Sequence, residues 1–96
     1  MMKAMIRKYS GKGVKELMDV LEKRAAELQP VMGSVKGLVS YTLVRTSDGG
    51  FSATVCQDQA GLDESAQKAK DWIAQNAANT GAAAPEVIVG SVIKHL

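Results

Sequence analysis

The chain has 96 residues, enough for one hydrophobic core, so a single domain over residues 1–96 is expected. Its 12 basic and 10 acidic residues are interspersed and leave a net charge of +2, which excludes the gathered Lys and Arg of a nucleic-acid footprint. One Cys and one His exclude an intramolecular disulfide and a metal centre built from such ligands, and no apolar run approaches the roughly 20 residues of a membrane span.

The N-terminal MMKAMIRKYSGKG is basic but lacks the continuous apolar stretch of a secretory signal, so a cytoplasmic protein is expected. The lone Cys56 agrees with a reducing compartment. Within it, Lys3 to Tyr9 alternate loosely and read as a first strand. Ser10-Gly11-Lys12-Gly13 breaks the pattern. From Val14 the period changes: Val14, Leu17, Met18, Leu21, Ala25 and Leu28 share one helical face, and Lys15, Glu16, Asp19, Glu22, Lys23 and Glu27 take the other. This helix is expected to end near Gln29, because the residue before Pro30 is biased away from helical angles. Asp19 and Lys23 stand at i,i+4 and suit an ion pair. Pro30 to Gly37 reads as a connector anchored by Val31 and Met32.

Leu38 to Asp58 carries two runs rich in Val, Thr, Tyr and Phe around Thr46-Ser47-Asp48-Gly49-Gly50, the signal of a β-hairpin. A three-residue loop, with Gly49 in the left-handed region, pairs Thr42 with Thr54 and Ser40 with Cys56. One face then collects Val39, Tyr41, Leu43, Phe51, Ala53 and Val55, and the other Ser40, Thr42, Val44, Ser52, Thr54 and Cys56. A two-residue Asp48-Gly49 turn would mix these sets. Short hydroxyls with one thiol suggest a covered surface, with a plain solvated sheet face as the alternative.

A second helix is expected from Leu62 to Ala78, with Leu62, Ala66, Ala69, Trp72, Ile73 and Ala77 on one face and Asp63 and Glu64 at its positive end. Asn79 to Pro85 reads as a small-residue loop with little to bury, and Glu86 to Leu96 as the last strand. The order β-α-β-β-α-β is the ferredoxin-like split βαβ pattern of an α+β protein, with two helices on one face of an antiparallel sheet. Leu17, Leu21, Trp72 and Ile73 would cover the apolar face of the hairpin.

That order, the GLVSYTLVRTSDGGFSATVCQDQAG hairpin and the QKAKDWIAQNA helix resemble the antibiotic-biosynthesis-monooxygenase superfamily of dimeric α+β barrels. The resemblance spans nearly the whole chain. It implies a homodimer in which two sheets meet through their bare faces, covering Ser40, Thr42, Thr54 and Cys56. It also implies a small aromatic ligand in a pocket between helices and sheet within each subunit, with Tyr41, Val55, Trp72 and Asn76 as lining candidates; no cofactor is expected for this chain. The family's haem-degrading members use an Asn on the first strand, a Trp on the second helix and a His beyond it. Trp72 matches, but Ile6 and Arg7 stand at the Asn position and Ala82 at the His position.

Cofactor-free oxygenation asks for a base and an anion-stabilising donor. Arg7 is the candidate donor and His95, on the last strand, the candidate base. Against these stand plainer roles: Trp72 as core or pocket wall, Cys56 as a small buried residue, and His95 as a chain-end or interface residue. Three function classes follow: a small-molecule enzyme, a non-catalytic dimeric ligand- or protein-binding module, and an RNA-binding domain of the same order. The last would need aromatics on the bare face.

Overall fold

The computed structural model, which describes residues 1–96, contains a hairpin of β2 (Leu38–Thr46), an edge strand, and β3 (Gly49–Cys56), an inner one. The first strand, β1 (Lys3–Ser10), pairs antiparallel with β3 on one side and with β4 (Glu86–Ser91) on the other, giving the sheet order β2-β3-β1-β4. The helices are α1 (Val14–Lys23), α2 (Ala25–Gly33) and α3 (Gln59–Asn76), with a short 3-10 turn at Ala78–Thr80. The α+β split pattern stands, with its first helix broken in two. No helix is long and apolar enough to cross a membrane.

The break falls at Arg24, whose backbone (φ −112°, ψ 23°) leaves the helix while its N–H still reaches the Val20 carbonyl at 2.9 Å. The helix expected to stop at Gln29 instead restarts and runs through Pro30 to Gly33. Pro30 forfeits one backbone hydrogen bond, but Leu28 and Met32 on either side of it are both buried and hold the segment to the core. The α3 helix begins three residues before the expected Leu62, because the Asp58 carboxylate accepts from the Gly61 N–H at 3.0 Å and caps the first turn. The last strand ends at Ser91 rather than Leu96, and Ile93, His95 and Leu96 lie exposed beyond it.

The hairpin register differs from expectation by one residue. Thr46 pairs with Gly49 across a two-residue loop of Ser47 and Asp48, so Tyr41 pairs with Thr54 and Thr42 with Ala53. Gly49 does not adopt a positive φ. A Cβ there would collide with the Tyr9 carbonyl oxygen, so close approach to β1 makes this position glycine. A one-residue slip turns a strand over. Against β2, β3 therefore buries Ser52, Thr54 and Cys56 under the helices and turns Phe51, Ala53 and Val55 to the bare face.

Packing explains the choice. At β3 the helices come close: a Cβ on Gly50 would strike the Met18 side chain, and Gly61 of α3 already lies against Cys56, where an added Cβ would sit 3.2 Å from its Sγ. Small side chains are what this strand can accommodate there. The core forms in two parts, one of Tyr9, Val14, Leu17, Met18, Leu21, Leu28, Trp72 and Ala77, the other of Met5, Met32, Val35, Cys56 and Leu62. The bare face carries Ala4, Ile6, Val44, Phe51, Ala53, Val55 and Ile88, flanked by Ser40 and Thr42.

Asp19 does not pair with Lys23. Its carboxylate takes Lys15 at 3.1 Å and Arg45 of β2 at 2.6 Å, and Arg45 also reaches Glu22 at 3.4 Å, so the cluster ties α1 to the hairpin.

Candidate functional site

On the helix side of β1, successive inward residues Met5, Arg7 and Tyr9 are all buried. The face that α3 turns towards Arg7 and Tyr9 is small, with Ala66, Ala74 and Ala77 beside Lys70 and Ile73. Truncated side chains on a helix leave a gap above the sheet. The result is a cavity of about 510 Å³ lined by β1, α1, α3, the loop after α3 and the start of β4. Eleven of its 15 lining residues are hydrophobic. The loop expected to bury little supplies a wall through Thr80, Ala82, Ala83, Ala84 and Pro85, and Val87 completes the rim. Thr80 shapes this wall, its hydroxyl donating to the Ala77 carbonyl at 2.8 Å and accepting from the Ala82 N–H at 3.3 Å.

Arg7 is the polar centre of this site. It is 6% exposed, and its guanidinium lies 5.6 Å from the Tyr9 ring centroid. The ion pairs of the molecule lie elsewhere, at Lys15–Asp19, Arg24–Glu27, Arg45–Asp19, Arg45–Glu22 and Lys68–Glu64. No carboxylate lines the cavity. Arg7 thus has no protein counter-ion, and Ser52 Oγ, on the strand paired with it, is the one buried side-chain polar atom fully sealed without a partner. Arg7 borders both the cavity and the narrow gap beside Trp72. Burial pushes the Tyr9 hydroxyl above its ordinary pKa, with the nearby Arg7 charge opposing that shift. The chemistry on offer is a half-open apolar hollow with Arg7, Tyr9 and Lys70 among its lining residues.

The sequence candidates divide. Arg7 lines the cavity, but His95 lies exposed on the C-terminal tail and is not brought to it. Tyr41 and Trp72 meet across a gap of only about 10 Å³, where they pack with Leu21, Leu28, Leu43 and Ala69. Trp72 is 7% exposed, and Arg24 stacks over its ring at 5.3 Å. Burial raises the pKa of the Tyr41 hydroxyl, with Tyr9 adding to the shift; Ser52 Oγ lies near that hydroxyl but falls short of hydrogen-bond geometry. Tyr41 also borders a second hollow of about 430 Å³ between α2 and β2.

The pocket set is corrected at Val55 and Asn76. Val55 faces away from the helices, and Asn76 turns its Nδ2 back to the Trp72 carbonyl at 2.9 Å. The interface set is corrected at Thr54 and Cys56. They are 1% and 0% exposed beneath the helices, whereas Ser40 and Thr42 do lie on the bare face. Burial, with Asp58 and Glu64 nearby, raises the Cys56 thiol above its usual pKa, away from nucleophilic character. Sequence reading missed Tyr9, Lys70 and the alanine wall. Its one available signal was Ala66, Ala74 and Ala77 on a helix face adjoining Ile73, too small to fill the space a core helix fills.

No protein-family model matches the sequence, and no curated protein matches it. Solved structures do. A protein of unknown function from Nitrosomonas europaea superposes with a TM-score of 0.69 at 17% identity, over 99% of this chain and 91% of that one. A putative antibiotic biosynthesis monooxygenase from Chloroflexus aurantiacus gives 0.67 at 17% identity, over 100% and 97%. SnoaB, a cofactor-independent oxygenase from Streptomyces nogalater, gives 0.59 at 17% identity, over 99% and 95%. At such identities the likeness is one of fold. The chain has the fold of the antibiotic-biosynthesis-monooxygenase-like proteins.

Proposed function

We propose that the protein is a small homodimeric, cytoplasmic binding protein that takes up a small, largely apolar aromatic compound in the cavity between α3 and the sheet. The observation that carries this reading is the cavity itself, about 510 Å³ with 11 apolar residues among 15. That volume lies within the range of small-molecule sites, which are mostly apolar with a few convergent polar groups. The bare face supports the dimer: Ile6, Phe51, Val55 and Ile88 form an apolar sheet surface that a second copy, carrying the same surface, would bury.

Binding is favoured over proton-transfer catalysis by the lining. It holds no carboxylate and no imidazole, and burial raises the Tyr9 pKa, which keeps the phenol protonated and unable to act as a base. Any oxygenation in this chamber would therefore use a substrate acidic enough to ionise by itself.

The test is a thermal-shift screen of planar aromatic compounds on the parent protein and on Ala74→Phe, which narrows the cavity. Hits should raise the parent's midpoint and lose their effect on the variant. An oxygen electrode with each enolisable or phenolic hit then separates the readings: steady uptake without added cofactor identifies an oxygenase, and none leaves a binding protein.

A further inference from the structure

Arg7 is a buried cation whose counter-ion is missing from the chain. Burying a guanidinium unpaired is costly, and the chain holds ten carboxylates that could have served. Asp19, Glu22, Glu27 and Glu64 are engaged at the surface with Lys15, Arg45, Arg24 and Lys68, and none of the ten lines the cavity. Resting on the cavity reading above, we propose that the natural occupant is an organic anion. Its carboxylate, or an equivalent ionised oxygen, would sit on the Arg7 guanidinium, and its apolar body would lie along Ala66, Ile73, Ala77 and Ala82.

Three features converge on this. Arg7 is held rather than free: it is 6% exposed, fixed on β1 between its partners Ser52 and Val87, and stacked on Tyr9. A held, planar donor fork suits an oxyanion better than a flexible ammonium does. Tyr9 lines the same cavity and its hydroxyl bonds no protein group, and a phenol kept protonated can donate a second hydrogen bond. Lys70, also without an ion-pair partner, adds positive charge on the solvent-exposed side of the lining, which would draw anions in and disfavour cations.

The test uses a matched pair of fluorescent probes on the intact protein: anilinonaphthalene sulfonate and uncharged phenylnaphthylamine, which share the same aromatic body. The parent should bind the sulfonate about ten- to a hundredfold tighter, the factor expected of a desolvated charge-assisted contact. Arg7→Gln should erase that preference and leave phenylnaphthylamine binding unchanged. Its thermal midpoint should hold or rise, because an unpaired buried charge has been removed. Arg7→Lys, which keeps charge but not the fork, should retain an intermediate preference, and Lys70→Gln should cost only about two- to threefold.

Equal affinity of the parent for the two probes overturns the proposal while leaving the cavity reading intact. So does a preference that survives Arg7→Gln or disappears in Lys70→Gln. A fall in midpoint for Arg7→Gln with sulfonate affinity unchanged makes Arg7 structural and overturns it as well. Failure of Ala74→Phe to weaken either probe shows that both bind elsewhere, and then the cavity reading falls too.

Discussion

Trp72 shows how one residue can keep a fold-level signal and lose its functional meaning. Its helical spacing with Ala69 and Ile73 marked it for the interior, and its match to a family position suggested a pocket wall. The ring is 7% exposed and the gap beside it holds about 10 Å³, less than a ligand needs. Trp72→Ala is therefore expected to cost about 3–5 kcal/mol in denaturant melts, and Trp72→Phe clearly less. A loss well below that range for the Ala variant would mean that the ring faces open space. Thr54 changes meaning in the same way. At 1% exposure beneath the helices, Thr54→Lys buries a charge in the core and should unfold the chain, whereas Thr42→Lys, exposed on the bare face, should leave each subunit folded. Circular dichroism of the two variants distinguishes them. Arg7 was legible as a candidate from its position on the first strand. Its isolation was not, because nothing in local sequence says where ten carboxylates will end up.

Among the elements, those with strong periodicity were the easiest to read. The α1 face of Val14, Leu17, Met18 and Leu21 is buried as its spacing requires, and β1 alternates as expected. The break at Arg24 and the helix through Pro30 were not legible, because they depend on Leu28 and Met32 finding the core. The hairpin was evident but its register was not. Turn composition allowed loops of two or three residues, and the decision came from how closely α1 and α3 press on β3. Carboxylates also bind elements together. Hydrogen bonds from Arg45 and then Lys15 hold the Asp19 carboxyl below its ordinary pKa. Lys68 and the Lys36 N–H do the same for Glu64, and Arg24 for Glu27. For a carboxyl lowered by folding, the stabilisation is present above the unfolded value near 4 and is lost as pH falls through the lowered one. The thermal midpoint should thus stay level from pH 7 to about 5 and fall below about 4, with 1 M salt flattening part of the change. A midpoint that rises on acidification would contradict these ties.

For the whole molecule, the strand and helix order was enough to assign the fold, and the unfilled places were what sequence could not show. A cavity is a shortage of side-chain volume between elements that meet only after folding, and here it arises from alanines on α3 and in the loop after it. The bare face is expected to pair with its copy over roughly 1,200 Å² or more. Light scattering during size exclusion should then give twice the chain mass of 10.2 kDa. Ile6→Lys should halve the observed mass without unfolding the subunit; a parent that elutes as a monomer at micromolar concentration removes the dimer. The most direct measurement for the function is amide chemical-shift mapping of the isotope-labelled protein titrated with phenylnaphthylamine. Shifts concentrated at Arg7, Tyr9, Ala66–Ala78 and the loop from Thr80 to Pro85 are expected, and shifts confined to the bare face around Phe51 and Val55, or no saturable shifts, would contradict a ligand site between α3 and the sheet.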